Sequence, residues 1–81
     1  MTEIREIQIG NETLRKGDKI TFMYKNQSRI GKIDKLSIAD RDGAEIVTCL
    51  LPNEKQFKAF RADKMSNLKR IKGFLALLFG R

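Results

Sequence analysis

The segment NEKQFKAFRADKM, residues 53–65, decides the fold of this chain because it admits two incompatible local structures. As a helix it would begin at an Asn53 cap with Gln56 three residues later, and Phe57 and Phe60 would fall near one side. As a strand it would direct the same two phenylalanines to opposite faces, because side chains alternate along a strand. Local rules favour neither structure, so the choice depends on the rest of the chain.

The segments before this one are predicted to be short antiparallel strands separated by turns. The predicted strands are residues 19–25, 29–39 and 44–51, with residues 3–9 as a candidate earlier strand. The first of them, KITFMYK, alternates in the manner of a strand with one buried face, whereas AEIVTCLL is apolar on both faces. This order is typical of a small antiparallel sheet that curls into a barrel.

Two glycines mark irregular positions in this sheet. We expect the strand over residues 29–39 to bend at Gly31, because Ile33 breaks the alternation that Ile30 begins. Gly43 follows an aspartate, and Asp-Gly suits the left-handed positions of a two-residue hairpin loop.

The charge distribution points to binding rather than catalysis. The 81 residues carry a formal net charge of +7, and residues 44–81 contain eight basic and three acidic residues. Such a field attracts phosphate-bearing or acidic partners, although a basic surface without a specific partner is the alternative. The carboxylates of Asp34, Asp40, Asp42 and Glu45 lack a neighbouring base, nucleophile or metal ligand, so no enzymatic activity is predicted.

Cysteine and histidine content restricts the chemistry further. With one cysteine and no histidine, an internal disulfide and a histidine-based site are excluded, and no cofactor or metal is expected. Cys49 lies in an apolar run, as a core thiol in a reducing compartment does. The N-terminus lacks signal-peptide features, and residues 74–79 are far short of the ~20 needed to span a bilayer, so the predicted location is cytoplasmic.

The C-terminal tail, residues 73–81, is predicted as an apolar or helical segment after a barrel module at residues 1–72. An apolar stripe with helical spacing runs from Ile71 into this tail and comprises Ile71, Phe74, Leu75, Leu78 and Phe79. We interpret this stripe as a cap on an open end of the barrel or as a contact in a homodimer. Binding to a membrane surface is the less favoured alternative.

From residue 14 to residue 71 the chain resembles the WYL domain, a small SH3-like or Sm-like barrel of bacterial and phage regulators. The resemblance lies in KITFMYK, with its aromatic residue near the end, in Arg29 after the following hairpin, and above all in KAFRADKM. That last motif matches the closing signature of the family at Lys58, Phe60, Arg61, Asp63, Lys64 and Met65. The naming triplet is absent near residues 45–47, and the chain contains no tryptophan.

The resemblance implies an all-β barrel of about five antiparallel strands. It favours a strand at residues 56–61, a tight turn near 63–66 and a last strand near 68–71. Because the first 18 residues leave no room for a helix-turn-helix, we expect a freestanding module that needs a partner to act on promoters.

The resemblance also implies a function, the binding of a nucleotide or single-stranded nucleic acid in a basic groove that regulates a partner protein. The candidate site residues are Arg29, Lys58, Arg61, Lys64 and Tyr24. Lys58, Arg61 and Lys64 are expected to cluster where the barrel bends, with Arg29 joining them from a neighbouring strand. Tyr24 joins them because an exposed aromatic, either this residue or Phe57, could stack a base. The alternative is a protein–protein interaction adaptor of phage or plasmid origin that binds an acidic host factor.

Overall fold

The computed structural model describes residues 1–52 and 56–71, which form eight strands and one short 3₁₀ helix. In chain order the elements are β1 (Thr2–Ile4), β2 (Glu6–Ile9), β3 (Glu12–Arg15), β4 (Lys19–Tyr24), β5 (Gln27–Ile38), β6 (Glu45–Leu51), β7 (Gln56–Arg61), the 3₁₀ helix (Ala62–Lys64) and β8 (Ser66–Ile71).

Five of the strands form an antiparallel sheet in the order β7-β6-β5-β4-β8, and β1 pairs with the second half of β5. The sheet curls on itself, because the ring of Phe60 on β7 lies 5.0 Å from the ring of Phe22 on β4, three strands away. β8 returns to pair with the outer edge of β4. The predicted small all-β barrel is therefore confirmed.

The ambiguous segment at residues 53–65 is extended over its described part and then makes one 3₁₀ turn. Residues 56–61 form β7, and residues 62–64 form the 3₁₀ helix. Phe60 is 1% exposed and Phe57 is 61% exposed, as opposite faces of a strand require. The strand prediction is confirmed, and the last strand begins at Ser66, two residues before the predicted start.

A tight two-residue hairpin joins β4 to β5. Its loop residues, Lys25 and Asn26, have φ values of 51° and 63°, and the pair Tyr24 and Gln27 closes the ladder beside them. Two consecutive left-handed residues define a type I′ turn, whose twist matches that of the flanking strands.

The predicted two-residue loop at Asp42 and Gly43 is wrong, because this hairpin has a four-residue loop, residues 40–43. Ala39 donates its N–H to the carbonyl of Ala44 at 2.9 Å, which sets the loop ends. Gly43 is left-handed, with φ 69°, and the Asp42 carboxylate accepts the N–H of Ala44 at 3.1 Å. The aspartate therefore stabilises the turn through its side chain.

The bend in β5 is a β-bulge rather than a glycine kink. The pairing with β6 skips Asp34, between Ile33 and Lys35. The extra residue returns Leu36 to the core, where it is 1% exposed. Gly31 has a different role, because a Cβ there would lie 3.0 Å from Cys49 Cβ, so glycine allows β5 and β6 to approach closely.

The N-terminal segment forms a hairpin where the sequence suggested one strand. β2 and β3 pair across a two-residue loop that begins with Gly10, at φ 59°. The hairpin contributes Ile7 and Leu14 to the core, and both are at most 1% exposed. Residues 1–52 and 56–71 thus share one hydrophobic core.

The predicted core position of Cys49 is confirmed, since its side chain is fully buried. Burial raises the pKa of this thiol to about 12. The predicted tail at residues 73–81 lies outside the described residues. Within the part that is described, no helix has the length and apolar character needed to cross a membrane.

Candidate ligand-binding surfaces

Two of the predicted site residues, Tyr24 and Arg29, lie together around the buried ring of Phe60. The Tyr24 ring packs edge-on against Phe60 at 4.8 Å, and the Arg29 guanidinium carbon lies 6.0 Å from the centre of the same ring. The Tyr24 hydroxyl also accepts the backbone N–H of Arg61 at 3.5 Å. Tyr24 is half-buried and fixed by these contacts, which suits a structural role better than base stacking.

Arg61 contacts two carboxylates. Its Nη1 lies 3.1 Å from Asp42 Oδ2 and its Nη2 lies 3.4 Å from Asp63 Oδ2. Hydrogen bonds to Asp63 and then to Asp42 raise the pKa of the Arg61 guanidinium. The pKa of the Asp42 carboxyl is lowered, first by the N–H of Ala44 and then by Arg61. With its charge balanced in this way, Arg61 links the loop at residues 40–43 to the 3₁₀ helix.

The structure separates Lys58 from Arg61 instead of clustering them. The two residues are three apart on β7, so their side chains leave opposite faces. Lys58 pairs with Cys49, on the face that holds the core, and is exposed because β7 is a sheet edge. Lys64 is exposed on the 3₁₀ helix. The predicted cluster is therefore spread over two faces and a turn.

A different basic surface lies on the outer face of the sheet. Backbone pairing aligns one residue from each of β7, β6, β5 and β4 in a single row across the strands. The four residues are Phe57, Leu50, Lys32 and Lys19, and we call them the outer row. Cross-strand partners share a face, so their side chains are neighbours.

The outer row combines an exposed aromatic ring with unbalanced positive charge. Phe57 is 61% exposed, and both lysines are exposed. Within residues 1–52 and 56–71, no carboxylate lies within ion-pair distance of Lys19 or Lys32. The carboxylate of Asp18, next to Lys19, interacts with other groups. Its Oδ2 accepts the N–H of Arg15 at 2.9 Å and lies 3.6 Å from Arg70 Nε.

A groove of about 300 Å³ runs along the Phe57 end of this row. Its walls are formed by Lys16, Gly17, Lys32, Ile33, Asp34, Leu50 and Phe57. An aromatic face beside ammonium groups can stack a base and contact a phosphate at the same time. Asp34, on the bulge of β5, is the acid of this groove and would disfavour a phosphate on its own side.

Sequence reasoning names Phe57 as a stacking candidate beside Tyr24, but it does not single out Lys19 and Lys32. The alternation of KITFMYK does place Lys19 on the face opposite Ile20. That Lys19 stands directly opposite Lys32 depends on the β4–β5 register, which the loop at Lys25 and Asn26 sets. The described residues contain no group of three or more Cys, Asp or Glu side chains that could hold a metal ion.

Comparison of the chain with protein-family models, with curated proteins and with solved structures finds no match. The WYL-like character of residues 14–71 therefore stays a prediction.

Proposed function

We propose that this chain is a ligand-binding regulatory module that binds a negatively charged ligand, a nucleotide or a single-stranded nucleic acid, on the outer row. The observation that carries the proposal is the exposed ring of Phe57 in one cross-strand row with two lysines. Neither lysine has a carboxylate partner among the described residues.

Like charges placed directly opposite each other on neighbouring strands destabilise a sheet. Lys19 and Lys32 are such a pair. A phosphate bound between them would remove this repulsion and release counterions from the ligand. The pair of lysines is unfavourable for folding, and binding of an anion between them provides a physical reason for the pair.

Phe57 supports the same ligand class. Burying a large apolar side chain stabilises a fold by roughly 1.5–3 kcal/mol, which this ring largely forgoes at 61% exposure. Stacking a base on an exposed aromatic contributes about 1–3 kcal/mol. An aromatic ring and two ammonium groups in one row are complementary to a base joined to phosphate.

The regulatory part of the proposal is supported by the resemblance to WYL domains, which implies that a bound anion acts on a partner protein. That resemblance also implies ligand contacts at Arg29, Lys58, Arg61, Lys64 and Tyr24. Of these residues, Lys58 and Lys64 are exposed, and their substitution tests the alternative site.

The test is the affinity of a fluorescently labelled oligothymidylate, measured by anisotropy at low salt. The double substitution Lys19→Gln and Lys32→Gln should weaken binding about 10-fold or more, because two phosphate contacts are lost. The matched control, Arg5→Gln with Arg41→Gln, removes the same charge from exposed positions outside the five-stranded sheet. Equal losses in the two double variants would show a diffuse basic surface and would overturn the proposal.

The second candidate function is the protein-interaction adaptor, which two exposed apolar residues favour. Phe57 and Ile30, the latter 45% exposed, lie on the same outer face in adjacent rows. If neither nucleotides nor oligonucleotides bind at low salt, this function replaces the first. Phe57→Ser should then abolish capture of the acidic partner, whereas Lys19→Gln should only slow its association.

A further inference from the structure

The basic residues of the outer face continue past the outer row onto β8. β8 pairs with β4 so that Lys69 stands beside Thr21, two residues from Lys19 on the same face. The direct partner of Lys19 on β8 is Ile71, so Lys69 lies diagonally from Lys19, one row along the strands. Lys32, Lys19 and Lys69 therefore form an oblique path across β5, β4 and β8. All three are exposed and lack a carboxylate partner within the described ranges.

This series of lysines has an aromatic residue at one end only. Phe57 lies on β7, and Lys69 lies on β8 at the opposite edge of the sheet. Neighbouring strands are roughly 4.8 Å apart, so the four intervals between β7 and β8 span about 19 Å along the curved face. A ligand that uses the whole path must be at least that long.

A single nucleotide is too short for this path. With its base on Phe57, a monophosphate can reach Lys32, two strands away, but not Lys69. The phosphates of a triphosphate are joined through single oxygens and span about one strand interval, whereas β5 and β8 are two intervals apart. A triphosphate therefore matches lysines on both strands less well than an oligonucleotide does. A nucleic acid strand instead spaces its phosphates with sugars, which suits cations on successive strands.

Because this step rests on the proposed function, it concerns the same site. We infer that the ligand of the outer row is a single-stranded oligonucleotide of about four nucleotides or more that crosses the strands from β7 to β8. One base stacks on Phe57, and the backbone follows Lys32, Lys19 and Lys69. A duplex keeps its bases stacked internally and cannot use Phe57.

The experiment is a competition series against the labelled oligothymidylate, with unlabelled thymidine mono- and triphosphate, thymidylates of increasing length, oligouridylates, a DNA duplex and inorganic polyphosphate. Affinity should rise with length up to about four nucleotides. Phe57→Leu should weaken every base-containing single strand about 10-fold and leave polyphosphate unchanged. Comparable binding of thymidylates and oligouridylates would assign the site to single strands of either sugar, and a difference would identify the preferred one.

Lys69→Gln is the decisive substitution, with Lys35→Gln as its control. Lys35 is exposed on β5 and pairs with Thr48, in the row next to the outer row on the side opposite to Lys69. Lys69→Gln should weaken strands of about four nucleotides several-fold but should not affect mono- or triphosphate, whereas the control should weaken these strands less. If the triphosphate binds as tightly as the longer strands and Lys69→Gln has no effect, the oligonucleotide inference falls and a nucleotide site stands. If nothing binds, the proposed function itself falls.

Discussion

At the scale of single residues, the side chains of β7 show how one strand serves the core and a surface at once. Phe60 fills the barrel between Phe22 and Tyr24, with ring distances of 5.0 and 4.8 Å, while Phe57, three positions earlier, faces solvent. The alternation of a strand predicts this division once the strand itself is known. A helix would have placed both rings near one side, so the local structure decides which aromatic is available to a ligand.

Cys49 permits a prediction about pH at the same scale. Burial raises the pKa of its thiol from 9.0 to about 12, so the folded state binds a proton that the unfolded state releases above pH 9. Stability is therefore complete below pH 9 and should fall by about 1.4 kcal/mol for each pH unit between 9 and 12. Urea unfolding at pH 8 and pH 10 measures this loss.

The control for this titration is Cys49→Val, which keeps an apolar side chain in the core without an ionisable group. Other groups that titrate in the same range act alike in both proteins, so the difference between them isolates the thiol. A pH dependence that is the same for wild type and Cys49→Val would show that the buried thiol does not govern alkaline stability.

At the scale of elements, the β4–β5 pairing contributes to the stability of the sheet and sets the arrangement of the proposed binding surface. Its type I′ turn at Lys25 and Asn26 fixes the register, and that register sets Lys19 opposite Lys32. We predict that Lys32→Thr raises the free energy of unfolding by about 0.2–1 kcal/mol, because it removes the repulsion and introduces a good strand former. The same substitution should weaken oligonucleotide binding.

Lys35→Thr is the matched comparison, since Lys35 faces Thr48 rather than another lysine. It makes the same chemical change on the same strand and should give less stabilisation and a smaller loss of binding than Lys32→Thr. Denaturant unfolding and anisotropy on the three proteins provide both quantities. If Lys32→Thr were destabilising, the view that these lysines are kept at a cost to folding would be wrong.

Some elements could be predicted from the sequence, whereas others depend on contacts between segments. Alternation located β4, and the resemblance to the WYL signature selected a strand for residues 56–61, because both depend on side chains within one segment. The bulge at Asp34, the four-residue loop at 40–43 and the pairing of β2 with β3 depend on contacts between segments. Those contacts fix the register, and a change of one residue moves a whole set of side chains to the other face.

Dependence on contacts between segments also explains why the candidate site could not be located from the sequence. The basic residues of the signature at residues 58–64 are close together in sequence. In the strand, however, Lys58 and Arg61 lie on opposite faces, and Arg61 forms ion pairs with Asp42 and Asp63. The lysines of the outer row are 13 positions apart in sequence and are brought together by pairing. A surface assembled from several strands leaves little signal in any one segment.

At the scale of the whole molecule, a net charge of +7 means that any polyanion will bind weakly, so affinity alone cannot locate the site. The salt dependence of the affinity can locate the site. A strand held by Lys32, Lys19 and Lys69 should give a slope near −2 for the logarithm of affinity against the logarithm of salt, at roughly −0.7 per phosphate. Lys19→Gln with Lys32→Gln should reduce that slope to about −0.7, whereas Lys58→Gln with Lys64→Gln should leave it unchanged. The slope counts the phosphate contacts that each pair of lysines makes. If Lys58→Gln with Lys64→Gln reduced the slope and Lys19→Gln with Lys32→Gln did not, the ligand would lie in the groove that the WYL resemblance implies.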